Sequence, residues 1–137
     1  MITIEQYFGN KVHSQEQEAN AVELLDSVNA LLDEAEKFGA YAGWPCPHTG
    51  TQISGCHGGA GDGGFRLPDT TTGRPLSSHK EAKGIDVFDP DGSLDMWITR
   101  KVLEKFNLYR EHPDYTKDGW CHLTKRPPKS GCRTFIP

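Results

Sequence analysis

From Ser14 to Phe38 the apolar residues return every three or four positions: Ala21, Leu24, Leu25, Val28, Leu31, Leu32, Ala35 and Phe38. Glu16, Glu18, Glu23, Asp26, Asp33, Glu34 and Lys37 fill the other face. A 3.6-residue period of this kind is an amphipathic helix, and its apolar stripe has to be covered by the rest of the chain. Ser14, with Gln17 three residues on, forms a capping box at the start. Gly39 is a stop. The helix is read as a packing element without chemistry of its own.

The stretches around this helix are shorter and less regular. Residues 1–12 read as an extended or turn segment around Tyr7 and Phe8. From residue 40 to 76 no period survives. Gly43-Trp44-Pro45-Cys46-Pro47 cannot lie inside a helix, and Thr51 to Gly55 reads as a short strand. The Gly-rich run from Gly58 to Gly64 is followed by neither Gly-Lys-Ser/Thr nor a helical pattern, which rejects a phosphate-binding P-loop. A loop of this length in a small domain is more often functional or mobile than inert. Residues 84–89 read as a strand, closed by the turn signal Asp89-Pro90-Asp91-Gly92. Ser93 caps a second helix, expected over 93–106, with Leu94, Trp97, Ile98, Val102 and Phe106 as its stripe. Residues 109–119 read as a polar loop, 120–124 as a strand, and the tail as a turn with one last strand. The expectation is one α+β domain over 1–137, an antiparallel sheet with the two helices against it.

Bulk properties narrow the function. A net charge of −4, with Lys and Arg scattered outside a C-terminal cluster, implies no nucleic-acid partner. No apolar run approaches the ~20 residues of a membrane span. The N-terminal residues lack a basic segment followed by an apolar one, so no signal peptide is read there. Cys46, Cys56, Cys121 and Cys132 form no Cys-x-x-Cys pair, which argues against a structural zinc knuckle; free thiols in a reducing compartment are expected.

The chemistry concentrates in three residues. His79 precedes Asp86 by seven positions, and His122 follows in a second β-like run, Trp120-Cys121-His122-Leu123. Two neutral imidazoles and one carboxylate are the ligand set of a catalytic zinc site, with a fourth position left to water. Asp is depleted in strands, so Asp86 inside Ile85-Asp86-Val87-Phe88 needs a partner if it is buried. Residues two apart on a strand share a face. Asp86 and His122 can therefore meet if their strands are neighbours, with His79 folding over them from the preceding loop. The same alternation turns Cys121 into the other layer.

These residues carry a resemblance. Ser77-x-His79, Asp86 seven residues beyond that His, and Trp120-x-His122 are similar to the pattern Ser-x-His-x-x-Gly-x-Ala-x-Asp and later Trp-x-His of the zinc D-Ala-D-Ala metallopeptidases. That family includes D,D-carboxypeptidases and phage endolysins that cut peptidoglycan stem peptides. Ala82 stands where the pattern has Gly, and Gly84 where it has Ala. Ser54-Gly55 with a displaced Arg66 resembles the family's earlier Ser-Gly-x-Arg segment, and the ending from Arg126-Pro127-Pro128 to Phe135 resembles small phage-encoded members. The resemblance covers roughly residues 51–137. It implies a Hedgehog/D,D-peptidase type of fold, Zn2+ held by His79, Asp86 and His122, and Arg66 as a catalytic partner for a carboxylate or the transition state. It also implies Ser77 as a supporting residue and a peptidoglycan stem peptide as substrate. A monomer is expected, made in the cytoplasm and acting at the cell wall after lysis-type release or as a virion component.

One position departs from the family. The general base usually lies three residues before the second His, and here that residue is Gly119. Asp118, one residue further back, is the candidate if the Asp-Gly turn folds it over the site; Glu111 and Asp114 are the other candidates. Without a base in reach, the expectation becomes a catalytically inactive zinc-binding module, a cell-wall-binding or virion structural component.

Overall fold

The computed structural model describes residues 1–55, 63–67, 77–116 and 119–137. Two capping boxes open the chain. Thr3 and Gln6 cap α1 (Ile4–Phe8), and Ser14 and Gln17 cap α2 (Gln15–Lys37), each pair exchanging side-chain and backbone hydrogen bonds. Residues 1–12 are therefore not extended throughout. Five helical residues are too few to display a period, and the Thr3-x-x-Gln6 box was the signal for them. The chain leaves α2 through Gly39, at φ +74°, a backbone conformation that glycine adopts without strain.

Seven α2 residues, Ala21, Leu24, Leu25, Val28, Leu31, Leu32 and Ala35, are buried. They join one apolar cluster with Ile85, Val87, Cys121 and Leu123 of the sheet. At roughly 1.5–3 kcal/mol for each fully buried large side chain, this contact is a main driving force for the fold.

Helices and a four-stranded sheet make this an α+β architecture. The strands are β1 (Gly84–Asp89), β2 (Tyr109–Glu111), β3 (Gly119–Thr124) and β4 (Thr134–Phe135), in the order β1-β3-β2-β4. β1 and β2 both pair antiparallel to β3, but β4 pairs parallel to β2, so the sheet is mixed and not wholly antiparallel. The connection after β3 steps past β2, and a chain that reverses over one strand arrives parallel to the strand it skipped. β2 falls where a polar loop was expected, since three residues are too short for alternation to show. The stretch from Thr51 to Gly55 forms a single antiparallel bridge, Ile53 to Val87, rather than a full strand.

The helix expected over 93–106 is two helices, α3 (Ser93–Trp97) and α4 (Arg100–Phe106). Ile98 is extended between them, and the Thr99 hydroxyl accepts from Val102 N and restarts the helix. Of the expected stripe, Leu94 and Ile98 are buried in the core and Trp97, Val102 and Phe106 are partly buried against it, whereas Leu103, outside that stripe, is the fully buried residue of α4.

Candidate metal centre

β1 and β3 set the geometry. Their register pairs Ile85 with Leu123, Asp86 with His122 and Val87 with Cys121. Ile85, Val87 and Leu123 enter the core, so alternation turns Asp86 and His122 to the other face. Cys121, on the core side, lies against Asp95, and burial pushes its thiol well above its ordinary range. The outer edge of β1 is covered: Ser54 N donates to Asp86 O, and Asp86 N donates to Gly63 O. His79 arrives from a 3-10 turn, Ser78–Glu81, closed by Ala82 in a left-handed conformation.

The three side chains converge. His122 Nδ1 lies 2.8 Å from Asp86 Oδ1, and His79 Nε2 lies 3.4 Å from the same oxygen. One ligand atom from each residue falls within 4.8 Å of the others, and the residues are 3%, 3% and 8% exposed. A buried His79-Asp86-His122 group of this kind could hold a metal ion.

The hydrogen bonds set the chemistry of the donor set. His79 Nδ1 is 2.8 Å from the Gly64 carbonyl, which can only accept, so Nδ1 carries the proton. Burial lowers the His79 pKa below its ordinary value, and the pull of Asp86 does not restore it. His79 Nε2 thus turns a lone pair toward a carboxylate oxygen. Burial alone would raise the Asp86 carboxyl, but it lies far below the usual carboxylate range, and the hydrogen bond donated by His122 helps to hold it there. An anionic oxygen facing a bare imidazole nitrogen is an arrangement that a divalent cation resolves. Mixed nitrogen and oxygen donors suit zinc and its neighbours in the transition series.

Arg66 lies beside the group, its Nη2 3.5 Å from Asp86 Oδ2, and it is 6% exposed. Its backbone N donates to His79 O. Ser77 caps the turn through a hydrogen bond accepted from His79 N. Asp118 lies outside the described residues. Asp114 is on the surface, paired with His112. Glu111 is half-buried on β2, where it pairs with Phe135 of β4; β2 pairs with β3 through Tyr109–Thr124 and Arg110–Leu123.

Other residues of the site carried no sequence signal. Ser78 Oγ lies 3.5 Å from His122 Nε2. The Tyr7 hydroxyl donates to Gly84 O, and Tyr7 O accepts from Phe65 N, so α1 braces both the start of β1 and the segment 63–67 whose Gly64 carbonyl holds His79. These contacts span up to 77 residues of chain, and no local pattern announces them. The capping box at Thr3 was the one available hint that this end of the chain was ordered.

Among the described residues, no helix is long and apolar enough to cross a membrane. Cys46, Cys121 and Cys132 are free thiols, and Cys56 lies outside the described residues. No family model, curated protein or solved structure matches this chain.

Proposed function

We propose that this chain is a zinc-dependent peptidase that hydrolyses a peptide bond in peptidoglycan stem peptides, phage or prophage encoded, with a Hedgehog/D,D-peptidase type of fold. The observation that carries the reading is the convergence of His79, Asp86 and His122, the same three residues whose order and spacing resemble the zinc D-Ala-D-Ala metallopeptidases. A bound zinc ion supplies an activated water and polarises a carbonyl. In this reading the chain's own groups do the rest. Asp86 would offset one of the ion's two positive charges, Gly64 O holds His79 with Nε2 presented, and Arg66 keeps positive charge beside the site for a carboxylate or an oxyanion. Glu111, on the strand beside β3, is one base candidate; Asp114 and Asp118 are the others.

A second reading is favoured by one observation. Gly119, at φ +120°, offers no side chain at the position where the resembled family keeps its base. In that reading the protein is a non-catalytic metal-binding module of a cell wall or virion. Purified cell wall, incubated with zinc-loaded protein, separates the two. Release of peptide or D-Ala by the wild type, abolished in His122→Ala, supports the peptidase. Stoichiometric zinc without any release supports the module. Absence of zinc from the purified wild type removes both.

A further inference from the structure

We propose that Ser78 is the positioning residue that lets His122 exchange its tautomer when a metal ion binds, while Gly64 holds His79 in a single tautomer throughout. The inference rests on the metal-centre reading above. The two imidazoles meet the site in opposite ways. His79 gives Nδ1–H to a carbonyl, so Nε2 is the bare nitrogen at all times. His122 faces Asp86 Oδ1 through Nδ1 at 2.8 Å, and an ionised carboxylate only accepts, so Nδ1 carries the proton in this arrangement. Nδ1 is also the nitrogen that lies against Asp86, and it would be the ligand of a cation held by both residues.

A neutral imidazole that ligates through Nδ1 carries its proton on Nε2. On loading, the N–H bond at Nδ1 breaks and one at Nε2 forms. The ring keeps one proton, and water carries the exchange. His122 Nε2 therefore turns from acceptor to donor, and its partner has to serve both states. A carbonyl or an ammonium group cannot, but a hydroxyl can. The group placed there is the Ser78 hydroxyl, 3.5 Å from Nε2 at the outer edge of hydrogen-bonding distance, on a residue only 6% exposed.

Gly84 makes the room for it. A Cβ at Gly84 would lie 2.2 Å from Ser78 Oγ and 3.2 Å from His122 Cε1. The pattern this chain resembles carries Ala at that position, so the glycine and the Ser78 hydroxyl form a matched pair in this chain. Partners of this kind to ligating histidines are worth about 10- to 100-fold in metal affinity.

The test is a long-range 1H–15N imidazole spectrum of the 15N-labelled full chain, before and after one equivalent of zinc. His79 is expected to keep its proton on Nδ1 in both states, and His122 to move its proton from Nδ1 to Nε2. Ser78→Ala is expected to lose about tenfold in zinc affinity, with a metal-free thermal midpoint lowered by the lost partner of His122 Nε2. Gly84→Ala should lose affinity too, and Ser78→Gly combined with Gly84→Ala should restore the fold without restoring affinity. Zinc held through His122 Nε2, or wild-type affinity and tautomers in Ser78→Ala, would overturn the proposal while leaving the metal centre standing. A wild type that takes up no zinc overturns both. The wild-type spectrum tests the tautomer exchange even if Ser78→Ala does not fold, and Ser78→Thr, which keeps the hydroxyl, is expected to retain wild-type zinc affinity; a Ser78→Thr protein that loses affinity as Ser78→Ala does would overturn the role of the hydroxyl.

Discussion

Asp86 and His122 stand directly opposite each other on antiparallel neighbours, and their Oδ1 and Nδ1 atoms are 2.8 Å apart. The pair is buried, and a third group, His79, reaches the same oxygen. Removing one member leaves the others without their partner in a buried site. His79→Ala is therefore expected to lose bound metal. Wild type purified without added zinc should hold about one ion per chain by mass spectrometry, and stripping it should lower the thermal midpoint, because a ligand that binds only the folded state stabilises it. Metal retained in full by His79→Ala would remove His79 from the ligand set.

Acid should destabilise the metal-free protein. The folded His79 pKa lies below its ordinary value of 6.5, chiefly through burial, so only the unfolded chain takes up that proton as pH falls past 6.5. Asp86, against the effect of burial, lies below its ordinary 3.8 with the hydrogen bond from His122 helping to hold it there, so its contribution is present above 3.8 and is lost as pH falls toward its folded value. Both groups act in the same direction. His13 acts in the other: the Lys11 carbonyl raises its pKa, so its contribution is present below 6.5 and fades as pH rises. Urea midpoints measured between pH 7.5 and 5 should fall in the wild type and fall less in His79→Gln. An equal fall in both would assign the acid lability to other groups.

Gly64 has no room for a side chain. A Cβ there would lie 2.6 Å from Tyr7 O, a backbone atom that also accepts from Phe65 N. Gly64→Ala should cost about 1–3 kcal/mol and weaken zinc binding, because the same residue's carbonyl holds His79. Chemical denaturation and a zinc titration on one sample check both. Unchanged zinc affinity in a destabilised variant would separate the loop's packing from the site.

Leu31→Ala should behave differently. Leu31 is fully buried on α2, in the apolar cluster that takes Ile85, Val87 and Leu123 from the strand face opposite to Asp86. A cost of about 2–5 kcal/mol is expected, with one zinc per chain still bound in the folded fraction. Loss of zinc stoichiometry in folded protein would mean that the core and the site are coupled.

Glu111→Gln probes the base. If the peptidase reading holds and Glu111 serves, cell-wall hydrolysis should drop about 100-fold or more while zinc content stays unchanged. Full activity would move the role to Asp118 or Asp114.

Local physics made some of this protein legible without coordinates. The stripe from Ala21 to Ala35 and the Ser14–Gln17 box give α2 its bounds, since helix period and capping are properties of neighbouring residues. The alternation around Asp86 and His122 placed both on one face of their strands. The brevity of α1 and β2, and the cap at Thr99 that divides α3 from α4, lay below what a period can show.

What the sequence determined by itself was which residues carry donor atoms and which way each strand turns them. Tertiary structure alone decided that β1 and β3 are neighbours in the register pairing Asp86 with His122. It also decided that Gly64, from a stretch with no period, supplies the carbonyl that sets the tautomer of His79. The mixed sheet has the same origin, because a strand's partner depends on how the long connection after β3 closes. Local propensities act over a few residues. Contacts such as Tyr7 to Gly84 and Ser78 to His122 join residues 77 and 44 positions apart, and only the packed chain brings them together.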